Sequence, residues 1–281
     1  CGQRAIISSI RARSTVQSNG DSRRILGDNM RQYFLVFLLI TSTLSGCFGS
    51  DEWLDEEHGI PGGLALACLQ DTGFEKMEIH FLYEEDYDPI AMDLVKSRLQ
   101  EVCDKPGGIT IKAEETNFAI DTAWTSDDVR VARWKHGGDA MGSNTLHWYF
   151  LFPAGTHSDE SVLGVAVDAS TVAIFKDSVD EAEGLFGRPS NEEVERAVTI
   201  HETGHLLGLV NLVYNSPIDH EDSSHKGHSN NDNSVMYWAI ESSDVGNFIT
   251  GNLPDEFDDD DKADLEGMAS GDLECNKQLW S

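Results

Sequence analysis

The chain has 281 residues and a formal net charge of −30 at pH 7, with 20 basic against 50 acidic residues. Such a surface repels polyphosphates, so nucleic acid binding by charge is excluded. The length fits one domain with flanking segments, and no internal repeat is visible.

In chain order, residues 1–29 are rich in Arg and Ser and read as an upstream extension or leader. Residues 30–46 read as a secretory signal: Met30 and Arg31, an apolar run at 33–40, then small residues. That run is too short to span a bilayer as a helix. It ends in Leu44-Ser45-Gly46-Cys47, which resembles the lipobox of prokaryotic lipoproteins. The resemblance implies a lipid on Cys47 and an extracytoplasmic, membrane-anchored protein; the plainer alternative is an ordinary signal peptide. Residues 47–73, acidic and bearing Pro61-Gly62-Gly63, are expected to be a tether, with the folded domain at 74–275. Three cysteines follow Cys47, so at most one internal disulfide forms, with Cys68–Cys103 the first choice.

Within the domain, residues 76–83 alternate apolar and polar, which predicts a strand. Asp88-Pro89 opens a helix carrying Met92, Val95, Leu99 and Val102, and Pro106-Gly107-Gly108 ends it. A second strand starts at Ile109, giving a strand–helix–strand unit. Residues 119–143 read as irregular. Strands are expected at 146–152, 163–167 and 171–175. Ser190 and Glu193 form a capping box for a helix over 190–207, with Gly208 at its end. A last helix starts after Pro254, and its acidic run at 255–261 reads as a solvated first turn. The fold class predicted is α+β: a twisted, mixed five-stranded sheet, mostly parallel, with an antiparallel edge strand and two long helices packed on it, followed by a smaller, irregular lower part.

The chemistry concentrates in His201-Glu202-Thr203-Gly204-His205. Residues four apart share a helix face, so both imidazoles can reach one ion. The intervening Glu202 is placed to act as general base on a water that zinc acidifies. This is the zinc-peptidase motif, which makes His201 and His205 metal ligands and Zn(2+) the cofactor.

The longer string HETGHLLGLVN resembles the metzincin clan of metallopeptidases, with Asn211 where the clan has its third ligand. Asparagine is a poor zinc ligand beside imidazole or carboxylate. Five of the ten histidines lie between 201 and 228. The spacing from His228 through Ser229, Ser234 and Met236 matches the archaemetzincin-like branch, with serine in place of two cysteines. The resemblance implies that 211–227 is an insertion, that His228 is the third ligand, and that Met236 forms a Met-turn beneath the metal. The missing cysteines argue against a second, thiolate-bound zinc. His220 and His225 remain alternatives as ligands, and Tyr237 is a weak candidate for oxyanion stabilisation. The resemblance further implies an edge strand at 163–167 that takes a peptide or protein substrate as an added strand. The expected protein is thus a monomeric, membrane-anchored zinc metallopeptidase. The alternative is a non-catalytic zinc- or peptide-binding surface lipoprotein with a degenerate site.

Overall fold

In the computed structural model, the described residues are 59–120, 123–182, 189–243, 245, 252–276 and 279. The leader, Cys47 and the first part of the expected tether lie outside them.

The elements in order are α1 (Ala65–Leu69), β1 (Lys76–Tyr83), α2 (Met92–Val102), β2 (Ile109–Glu115), α3 (Ser126–His136) and β3 (Thr145–Phe152). There follow β4 (Gly164–Ala166), β5 (Thr171–Ile174), α4 (Lys176–Glu181), α5 (Asn191–Leu206), a 3-10 turn (Trp238–Glu241) and α6 (Asp259–Ser270). The five strands form one sheet in the order β2-β1-β3-β5-β4, all parallel except β4, which runs antiparallel to β5 at one edge.

The pleat sorts side chains between two cores. Met77, Ile79 and Phe81 of β1, with Leu146, Trp148, Phe150 and Phe152 of β3, enter the larger core, which α2 and α5 cover. Leu82, Tyr149 and Leu151 point the other way, into a smaller core under α3. A sheet covered on both faces explains why β3 and β5 are nearly continuous apolar runs, as parallel strands tend to be.

Three expectations need correcting. Residues 119–143 are not wholly irregular: α3 forms there, capped by a Thr125–Asp128 capping box, and buries Val129 and Ala132. The expected tether is folded in its last part: Leu64, Ala65, Ala67, Cys68 and Leu69 are buried, and Cys68 is disulfide-bonded to Cys103 at the end of α2. The acidic run before the last helix is not all solvated. Asp258 caps α6, but Asp261 is fully buried.

Candidate metal centre

Helix α5 begins at its Ser190–Glu193 capping box and is buried from Val194 onward except at Arg196. His201 and His205 sit one turn apart near its C-terminal end, both buried, with ring centroids 4.7 Å apart at 89°. Gly208 then adopts φ +88°, a left-handed conformation that favours glycine, and reverses the chain. Asn211 repeats this at φ +57°, and its Oδ1 accepts a hydrogen bond from the Ser216 amide at 2.6 Å. Asparagine tolerates that conformation and closes turns with its side chain. Asn211 therefore turns the chain, and its side-chain oxygen is engaged in closing that turn.

The loop that follows brings His228 back to α5. The Val210 amide donates to the Gly227 carbonyl (3.1 Å), and the Ser229 amide donates to the Met236 carbonyl (2.8 Å). The His228 ring lies 5.2 Å from those of both His201 and His205. The structure thus gathers one donor atom each from His201, His205, His228 and Glu241 within 4.8 Å of one another. His220 and His225 are elsewhere. His220 is buried against Asp264, Nε2 to Oδ2 at 2.9 Å, and His225 stacks on Trp238 at 4.3 Å.

Two hydrogen bonds fix the tautomers of the helical pair. His201 Nδ1 lies 2.7 Å from the Val235 carbonyl and His205 Nδ1 lies 3.1 Å from that of Leu209. Carbonyls only accept, so both Nδ1 atoms carry the proton. In the neutral rings the two Nε2 atoms, 3.1 Å apart, then face each other as bare lone pairs. That arrangement is repulsive unless a cation lies between them. Tetrahedral zinc with bonds of about 2.0–2.1 Å sets its nitrogens roughly 3.3 Å apart, close to what is seen. Both His228 ring nitrogens are buried without a hydrogen-bond partner; Nε2 comes within 3.2 Å of Glu241 Oε1, but in a direction unsuited to a hydrogen bond. The residues fit a zinc-class ion. Burial, with His201 and His228 beside it, pushes His205 down to about 3, so its imidazole is neutral and able to ligate.

Glu202 is buried, and neither carboxylate oxygen has a partner. Burial and the negative Glu241 raise its pKa well above the usual carboxylate range. The Ala166 amide on β4 opposes this, although it makes no hydrogen bond of good geometry. Glu241 was not singled out from the sequence. It comes from the 3-10 turn and approaches His201 Nε2 at 3.7 Å and His228 Nε2 at 3.2 Å. Burial works against its charge, but the two histidines outweigh burial and hold its pKa below the ordinary value.

Met236 is fully buried beneath the helix. Its sulfur packs against Gly204, where a Cβ would overlap it. Ser229 and Ser234, also buried, are tied by hydrogen bonds: Ser234 Oγ donates to Asp261 Oδ2 at 2.9 Å, and Ser229 Oγ accepts from the Asn231 amide at 3.1 Å. Tyr237 packs on Trp238 and does not line the cleft. The cleft, about 370 Å³, is bounded by Val165 and Ala166 of the edge strand, by Glu202, His205, His228 and Glu241, and by Ile60 and Pro61.

No protein-family profile matches the chain, and no curated protein matches it. Among solved structures it is similar to the archaemetzincin of Methanopyrus kandleri, at 11% identity and a TM-score of 0.46, over 68% of this chain and 94% of that one. It is also similar to the archaemetzincin of Archaeoglobus fulgidus in complex with malonate, at 14% identity and a TM-score of 0.39, over 68% of this chain and 99% of that one.

Proposed function

We propose that this chain is a zinc-dependent peptidase of metzincin type, with His201, His205 and His228 as the metal ligands and Glu202 as general base. The observation that carries the reading is the pair of facing Nε2 atoms beside His228 and an unpartnered, buried Glu202, at the floor of a cleft beside a sheet edge. Zinc held there supplies a Lewis acid that polarises a peptide carbonyl and acidifies a water. The substrate lies along β4 as an added strand, which presents its carbonyl over the histidines. Glu202 takes a proton from the attacking water and returns it to the leaving amine, so one carboxylate serves both half-steps. Met236 supports the helix from below and touches no reacting atom.

Glu202→Gln tests the assignment. The variant should keep about one zinc at this site and lose casein or peptide hydrolysis by at least about a hundredfold, the usual contribution of a general base. Unchanged hydrolysis would sink the mechanism, and loss of zinc would make Glu202 a ligand instead.

Glu241 favours a second reading, a non-catalytic zinc-binding protein. As a fourth donor it closes the coordination sphere, and closed four-donor sites are structural. Glu241→Gln separates the two: hydrolysis that appears only in the variant makes Glu241 a block on the native site. We also propose that the protein is held at the cell surface by a lipid on Cys47, a reading supported by Leu44-Ser45-Gly46-Cys47 after an apolar run. Cys47→Ser should then move it from the membrane to the soluble fraction.

A further inference from the structure

We propose that Glu78, His80 and His147 form a second, separate cation site, on the opposite face of the sheet from α5, that takes a zinc-class divalent ion with water at the remaining position. Strands β1 and β3 are neighbours, and their register sets Glu78 opposite His147 and His80 opposite Tyr149. Side chains two apart on a strand share a face, so all three groups project from one patch of the ladder. Helix α3 covers only part of that face. Leu82, Tyr149 and Leu151 lie in the core beneath it, while Glu78, His80 and His147 are only half-buried.

The three donor atoms close a triangle. His80 Nε2 is 3.0 Å from His147 Nδ1 and 3.1 Å from Glu78 Oε1, and the third edge is 3.5 Å. Zinc bonds of about 2.0–2.2 Å at tetrahedral angles call for donors roughly 3.3–3.5 Å apart, so an ion fits just above this plane with little movement. A hydrogen-bond chain needs only two of these contacts, whereas all three atoms converge. The ligands are also held in place. The His80 ring stacks on Tyr149 at 4.5 Å and 17°; Tyr149 carries Arg133 over its ring and accepts from the Gly138 amide. Two imidazoles and one carboxylate are a borderline-soft set suited to zinc rather than to calcium or magnesium.

Lys112 is the competitor. Its ammonium lies 2.8 Å from Glu78 Oε1, on a largely exposed side chain. An exposed pair of this kind is weak, so an entering ion can displace it. Removing that ammonium should tighten zinc binding, by up to about fivefold.

The experiment uses the full chain, stripped with chelator, reloaded with zinc alone, freed of excess by gel filtration, and read as zinc per chain. In a His201→Asn/His205→Asn background, which disables the other cluster, about one zinc per chain should remain. Adding His80→Asn/His147→Asn should remove it with the near-UV circular dichroism unchanged. A background variant that holds no zinc overturns the proposal, and so does zinc that survives loss of His80 and His147. Lys112→Gln, an exposed change that the fold tolerates, is the second arm. Tighter zinc supports the site, whereas unchanged or weaker zinc means the cluster is only a charge network. None of these readings depends on peptidase activity, so they stand or fall apart from the function proposed above.

Discussion

Asp264→Ala removes the α6 carboxylate on which three side chains of the loop before His228 converge. That carboxylate accepts from Tyr214 Oη at 2.8 Å, Ser216 Oγ at 2.6 Å and His220 Nε2 at 2.9 Å. The His220 carbonyl in turn accepts from the Asn230 amide at 2.7 Å, two residues from His228. The variant leaves buried donors unmatched, at about 1–3 kcal/mol each and less than additively; breaking a buried charged pair costs about 3–5 kcal/mol in all. For a domain of this size that is a fall in Tm of roughly 8–15 °C. Urea unfolding, followed by tryptophan fluorescence with chelator present, measures it. The pH profile sharpens the test. Burial alone would lower the His220 pKa, but the hydrogen bond and charge of Asp264 raise it above 6.5. Its stabilisation is therefore complete below 6.5 and is lost as pH rises through the folded value. Burial would raise the Asp264 pKa, but His220, Ser216 and Tyr214 lower it below 3.8, so its contribution is present above 3.8 and is lost as pH falls through the folded value. Asp261, pushed by burial and Asp258 up to about 7, also favours the folded state as pH falls from 7 toward 3.8. The stability difference between wild type and variant should peak between about pH 4 and 6.5. A difference under about 1 kcal/mol, or one that is flat with pH, would refute the reasoning.

Gly204→Ala places a methyl against the Met236 sulfur and the Phe257 ring, so it should cost about 1–3 kcal/mol in chemical denaturation and weaken zinc binding at the α5 site. His228→Ala should lose the zinc at that site by metal analysis, whereas His220→Ala and His225→Ala should mostly keep it. Asn211→Ala should also keep it, but it should lower stability, because alanine is strained at φ +57°. Replacing Cys68 and Cys103 by serine opens a bridge across a 35-residue separation, which loop entropy values at roughly 3–4 kcal/mol in a thermal melt.

What the sequence made legible follows local periodicity. β1 alternates from Lys76 to Phe81, and α5 announces itself by its capping box and by histidines four apart. Helix α3 gives a weak periodic signal because it buries only Val129, Ala132 and Arg133; its signals lie at its ends, in the Thr125–Asp128 box and the basic last turn. The inward placement of Asp261 could have been seen from its spacing, since Asp261, Asp264, Leu265 and Met268 form one helical stripe. Glu241 had no such signal. It joins the histidines through the reversal from Ser229 to Met236 and through the Leu163 amide, which donates to its carbonyl; neither leaves a local pattern in the sequence. The trio Glu78, His80 and His147 depends on strand pairing, since β1 and β3 become neighbours only in the sheet.

The acceptors that orient His201 and His205 are main-chain carbonyls, those of Val235 and Leu209. No side-chain substitution can delete a carbonyl. The aim of both imidazoles is therefore encoded in the path of the chain, and it tolerates sequence drift at positions 209 and 235 as long as that path is kept. A histidine oriented by a carboxylate has a partner that one mutation removes. Here disorientation requires a change in loop length or in the turns at Gly208 and Asn211, so insertions and deletions threaten this centre more than point changes at the carbonyl-bearing residues do.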